Sequence, residues 1–195
     1  MTQTNVVPVG ERIKTLRTKA GMSLQDLAEK LGYSSAVLNQ IENHMVSPPL
    51  GTLMKIAKGL DISVGEIWGE PGSAPYVLTR SGEGSVASRF ASIEGINYGY
   101  TYTSLGSGMK DRHFEPFIIS LEPPTVKKNE PSRHDGEEFL FVLSGKVEIC
   151  LDGHTDVLEP GDSIHYHARV PHRVCCHGDE PASMIAVVWS PEKRK

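Results

Sequence analysis

Between Met22 and Asn43 the chain reads as two short capped helices joined by a tight turn. Ser23 precedes Leu24, Leu27, Ala28 and Leu31, an apolar stripe at helical spacing, and Asp26 completes a capping-box pattern three residues after the serine. Gly32 supplies the stop. Ser34 or Ser35 caps the second helix, whose pattern turns Val37, Leu38 and Ile41 inward and leaves Ser35, Ala36, Asn39, Gln40 and Asn43 outside. One such pair cannot bury a core by itself, and the flanking sequence offers partners. Glu11 to Ala20 places Ile13, Leu16 and Ala20 on one side and ends at Gly21. Pro48-Pro49-Leu50 opens a further helix, with Leu53, Ile56, Ala57 and Leu60 as its buried stripe. Ser63-Val64-Gly65-Glu66 is a second capping box, leading into Ile67 and Trp68. The result is a five-helix domain over residues 1–70.

The outer face of the second helix is polar and built from small side chains, as a reader of base edges in a duplex groove requires. The chain carries a net charge of −4, so bulk electrostatics favour neither nucleic acid nor membrane. Residues 1–70 hold seven basic and seven acidic side chains. Arg12, Lys14, Arg17 and Lys19 are the expected phosphate contacts. No apolar run approaches the roughly eighteen residues of a spanning helix, and the first ten residues lack a basic segment followed by an apolar core. The expected location is the cytoplasm, with no membrane partner. Three cysteines agree with a reducing compartment: Cys150 stands alone, and Cys175-Cys176 are adjacent, at about 3.8 Å between α-carbons, too close for ordinary disulfide geometry.

After Trp68 the composition changes. Residues 71–95 are rich in glycine, serine and proline and read as a linker and leading strand region. Short strands with turn residues between them follow: Tyr98, Tyr100 and Tyr102 alternate, Phe117–Leu121 is a short apolar run, and Phe139–Leu143 is a continuous one. This predicts a sandwich or barrel over 96–195, with a start near 76 left open. His134 and Glu138 sit four apart at the mouth of a strand, a spacing that puts both on one face, and Pro171-His172 lies on a later strand or loop. Two imidazoles and a carboxylate suit a divalent metal (Fe, Zn, Ni or Mn) with positions left open; hydrogen bonding among the three in a polar barrel is the alternative. Arg133, beside His134, is an expected ligand-pocket residue. Arg112, Arg133, Arg169 and Arg173, near the motif loops, suggest an anionic effector.

These residues carry two resemblances. Residues 21–63 resemble the XRE/Cro-type helix-turn-helix. That likeness implies Ser35, Ala36 and Gln40 facing base edges with Asn39 beside them, Ser23 and Asn43 near phosphates, and Ser34 at the start of the same helix. Residues 132–149 and 158–174 resemble the paired motifs of the cupin barrel, which implies His134, Glu138 and His172 as retained metal ligands. Ser132 stands where many cupins carry another histidine, and Cys176 where the second motif often has asparagine. The expected fold is therefore α+β and multidomain: a five-helix module followed by an all-β jelly-roll barrel. The pairing resembles bacterial XRE-family regulators with a cupin sensor, which implies a homodimer on a double-stranded DNA operator and a small-molecule effector. The same order also resembles the mononuclear iron epoxidases of 2-hydroxypropylphosphonate, a likeness that implies Tyr98, Tyr100 and Tyr102 as ligand-pocket residues, except that Gly21 stands at the position of their active-site lysine, with Lys19 nearby.

Overall fold

Local signals written into the first third of the chain close each helix where they should. The computed structural model describes residues 8–69, 72–81, 85–88, 99–123 and 131–191. Its helices are α1 (Val9–Lys19), α2 (Leu24–Leu31), α3 (Ser35–Glu42), α4 (Leu50–Leu60) and α5 (Val64–Ile67). The Ser23 hydroxyl accepts the Asp26 N–H at 3.1 Å while the Asp26 carboxylate accepts the Ser23 N–H at 2.8 Å, a complete capping box. Gly32 ends α2 at φ 71°, a left-handed conformation that costs glycine little. Ser34 rather than Ser35 caps α3, accepting the Val37 N–H at 3.3 Å. The Ser63–Glu66 box starts α5.

Three details depart from the periodicity. α1 begins at Val9, two residues before Glu11, because Val9 and Gly10 are buried against the end of α3. Ala20 is exposed, since α1 stops at Lys19 and the chain turns away at Gly21. Val37 is 39% exposed and does not join the core; Leu38, Ile41 and Glu42 form the inward face of α3. Burial of Glu42 is made possible by Arg17 of α1, whose Nε and Nη2 reach its two carboxylate oxygens at 2.6 and 2.9 Å. Such a two-pronged pair satisfies both groups and fixes α3 against α1.

Nine strands follow among the described residues: β1 (Ser85–Ser88), β2 (Gly99–Ser104), β3 (Phe114–Glu122), β4 (Glu137–Ser144), β5 (Val147–Leu151), β6 (His154–Leu158), β7 (Ser163–His167), β8 (His172–Cys176) and β9 (Ala182–Trp189). They form a six-stranded sheet, β1-β2-β3-β9-β4-β7, and a three-stranded sheet, β6-β5-β8, antiparallel throughout. This is the double-sheet jelly roll. Alternation decides what is inside: in β4, Glu138, Leu140 and Val142 point to the core, whereas Phe139 and Leu143 point outward. The continuous apolar run is thus buried on one face only.

The two parts share an interface. Trp68 packs its ring 4.6 Å from that of Phe117 and meets Tyr102 edge-on at 6.0 Å. The Ser47 hydroxyl bonds the Tyr100 carbonyl and amide, the Tyr102 hydroxyl donates to the Pro48 carbonyl, and Lys58 pairs with Asp135. The cysteines are all free thiols. Among the described residues, no helix is long and apolar enough to cross a membrane.

Candidate functional site

Three buried side chains converge inside the jelly roll. Glu138 comes from β4 and His172 opens β8, while His134 lies before β4 rather than on it. The shared direction of His134 and Glu138 therefore does not come from strand alternation. It comes from a turn at Gly136 (φ 113°), held by the His134 N–H on the Ala168 carbonyl and the Ala168 N–H on the Gly136 carbonyl. A side chain at Gly136 would strike the Trp189 carbonyl at 2.0 Å, so glycine is required there. His172 is placed by paired backbone bonds with Ser132, at 2.7 and 3.0 Å.

His134 Nε2 lies 2.8 Å from Glu138 Oε1, and His172 Nε2 lies 3.8 Å from the same oxygen. The Nδ1 atoms face backbone carbonyls instead, His134 that of Asp135 at 3.1 Å and His172 that of Val170 at 2.8 Å. With each Nδ1–H donated to its carbonyl, both Nε2 lone pairs point at a carboxylate that can only accept. In that tautomer the facing acceptors suit a cation between them, whereas the other tautomer of His134 donates Nε2–H to Glu138 at 2.8 Å. The three donor atoms lie within 4.8 Å of one another, and donors about 2.1 Å from one ion would sit roughly 3 to 3.5 Å apart. The donor set therefore fits a divalent ion.

Without an ion, the imidazoles themselves act on the carboxylate as donors and charges. Burial alone would raise the Glu138 carboxyl, but the hydrogen bond and charge of His134, the charge of His172 and the Tyr166 hydroxyl together hold it below the usual carboxylate range. Burial lowers His172, more than the nearby Glu138 charge raises it, which favours the neutral imidazole a metal requires. Tyr166, donating to Glu138 Oε2, was invisible in the motif spacing; its position follows from the register that pairs it with Glu138 across β4 and β7.

A cavity of about 30 Å³ adjoins the triad, lined by Tyr100, Tyr102, Ser132, Glu138, His172 and Arg173 among others, and also by Pro49, Leu50 and Gly51. Tyr98 lies outside the described residues. Arg133 is exposed and does not line the cavity; Arg173 takes the place expected of it. Arg112 pairs with Glu115, Arg169 with Asp135 and Arg173 with Glu148, so those guanidinium groups serve internal contacts. Cys176 donates to the Glu180 carbonyl and is not part of the triad.

In the helical part, Ala36, Val37, Asn39, Gln40 and Asn43 are exposed along α3, with Ser35 half-buried. Asn43 is tied to Asn39, donating to its carbonyl and side-chain oxygen at 2.8 Å each. Ser23 and Ser34 use their oxygens as caps, which leaves each hydroxyl proton free to donate outward. Arg17 is committed to Glu42, and Arg12 donates to the Glu66 carbonyl, so neither is a spare cation; Lys14 and Lys19 remain exposed. His44 is half-buried beside Gly10.

Comparison with known proteins accounts for both halves. Residues 13–67 match the helix-turn-helix family model, and residues 117–188 match the cupin domain model. The regulator SutR of Escherichia coli is 29% identical over 180 residues, covering 92% of this chain and 93% of SutR. The regulator SinR of Bacillus subtilis is 32% identical over 90 residues, covering 46% of this chain and 81% of SinR. This chain belongs to the helix-turn-helix transcriptional regulators. Among solved structures, the regulator shares its fold with a Vibrio cholerae transcriptional regulator of the same helix-turn-helix family (TM-score 0.58, 24% identity, 94% of this chain and 95% of that one). It also shares its fold with the iron(II) form of HppE (TM-score 0.50, 24% identity, 93% and 97%).

Proposed function

We propose that this regulator reads a two-fold DNA operator as a homodimer in the cytoplasm, and that its jelly roll senses a small anion at a metal ion held by His134, Glu138 and His172. The observation that carries the reading is α3: a capped helix clamped from behind by Arg17–Glu42 while Ala36, Val37, Asn39, Gln40 and Asn43 stand clear in solvent. In this reading Ser35, Ala36 and Gln40 meet base edges, with Asn39 beside them. Ser23, Ser34 and Asn43 meet phosphates, joined by Lys14 and Lys19. One module makes too few contacts for tight binding, so two copies reading half-sites about 34 Å apart are required.

At the triad the ion supplies a Lewis-acidic centre with open positions, and Tyr166 orients Glu138 through its second oxygen. Iron, zinc, nickel and manganese all suit this donor set. An iron enzyme is the second reading, favoured by the two-histidine, one-glutamate cluster. Against it, Gly21 lies in an exposed turn after α1, with nothing within 4 Å of where its side chain would begin.

Selection of genome fragments by the purified protein at moderate salt, with metal content recorded on the same sample, separates the two. Enrichment of a palindromic site supports the regulator. Absence of enrichment with stoichiometric iron turns the assignment toward an oxidative enzyme.

A further inference from the structure

The cavity beside Glu138 and His172 is walled in part by the DNA-reading domain, not by the jelly roll alone. Pro49, Leu50 and Gly51, at the start of α4, form one of its walls. The Ser47 hydroxyl donates to the Tyr100 carbonyl at 2.6 Å and accepts the Tyr100 amide at 3.1 Å, imitating one rung of a sheet ladder. The Tyr102 hydroxyl donates to the Pro48 carbonyl at 3.0 Å from a fully buried position. At Gly51 the approach is so close that a methyl group would lie 2.4 Å from the Ser132 Cβ and 2.5 Å from its Oγ. The remaining 30 Å³ holds an ion or one or two waters, not a metabolite.

We infer that Ser47–Gly51 is a stopper on the Glu138–His172 side of the triad, the opposite His134 side facing a separate, wider cavity lined by Lys58, His113 and Asp135: a chelating effector that meets the ion from the Glu138–His172 side does so by lifting this segment, and lifting it moves the DNA-reading helix. The inference deepens the regulator reading and its second half rests on it. α4 packs against α1, α2 and α5, and α3 packs against α1 and α2, so a displaced α4 carries the five helices as one body. In a dimer that motion changes the spacing of the two recognition helices, which a palindromic operator fixes. An effector then acts through its different affinities for the stoppered and lifted forms. The chemistry selects a small monoanion with two adjacent donors. A divalent ion on one carboxylate and two neutral imidazoles keeps a positive charge and open positions.

The test uses the full-length protein and two readouts: hydrogen exchange of the Tyr100 amide, and affinity for the operator recovered by fragment selection. Gly51→Ala is otherwise favourable in a helix, so any loosening it causes comes from the collision with Ser132. It is expected to speed Tyr100 exchange at least about tenfold and to shift operator affinity at least about fivefold, and Gly51→Ala/Ser132→Gly is expected to restore both. Tyr102→Phe, which removes only the bond to Pro48, is expected to speed the same exchange without altering the fold. Ni(II) alone should leave Tyr100 protected, whereas Ni(II) with acetohydroxamate, a bidentate monoanion, should expose it. Unchanged Tyr100 exchange in both variants overturns the stopper. Faster exchange with unchanged operator affinity overturns the coupling. Acetohydroxamate binding with Tyr100 still protected overturns the entry route. A wild-type protein that retains no duplex removes the regulator reading and the coupling with it, while Tyr100 exchange still decides the stopper.

Discussion

Glu138 receives a Tyr166 hydroxyl, and the Nδ1 atoms of His134 and His172 face the Asp135 and Val170 carbonyls, so each residue of the triad is oriented by a group outside it. Replacing His134 with alanine is expected to abolish stoichiometric binding of Fe(II) or Ni(II), measured by elemental analysis after loading and desalting. Full retention would remove the triad as the metal centre. Tyr166→Phe leaves all three ligands but frees Glu138 to rotate, and is expected to weaken metal affinity about tenfold or more in a competition titration. On the DNA side, Gln40→Ala should relax operator preference while leaving fold and metal content intact; unchanged footprints would take Gln40 out of the readout. At this scale the chain was only partly legible. His134, Glu138 and His172 stood out because their residue types and motif spacing point to one chemistry. Tyr166 did not, because its role depends on which strands become neighbours, and Arg173 stood out only as one of four arginines near the motif loops, with nothing local to separate it from Arg133.

α3 shows what an element needs beyond its own sequence. Its start was readable from Ser34 because capping is local, whereas its inward face was misread at Val37. Periodicity groups Val37 with Leu38 and Ile41, but α1 and α2 cover only a narrower strip, which ends in a charged residue. Nothing near Glu42 in the chain announces its burial, since its partner Arg17 lies 25 residues away. Glu42→Ala is expected to destabilise the domain by about 3 kcal/mol or more by stranding a nearly buried guanidinium, read as a lowered urea midpoint. Ser34→Ala removes one cap bond and should cost about 1 kcal/mol in the same assay. If the two losses were equal, the clamp would not be the main restraint on α3.

At the scale of the whole molecule, the order of a helical module and a jelly roll was legible from composition and strand spacing, but their junction was not. Ser47, Pro48 and Gly51 carry no signal that they would meet Tyr100, Tyr102 and Ser132, because contact between the two parts leaves no periodicity in the chain. The neutral charge of the helical module has a measurable effect on the assembly. With Arg12 and Arg17 engaged internally, few cations per protomer remain for phosphates, so log affinity against log salt should fall with a slope of only about −3 to −5 for a dimer. A slope steeper than about −7 would mean that cations elsewhere on the molecule reach the duplex. Because Pro49, Leu50 and Gly51 line the cavity beside Glu138, the sensing chamber belongs to neither half alone. Under the proposed function, exchanging helical modules between related proteins would therefore change which effector the hybrid answers to, as well as which gene it controls.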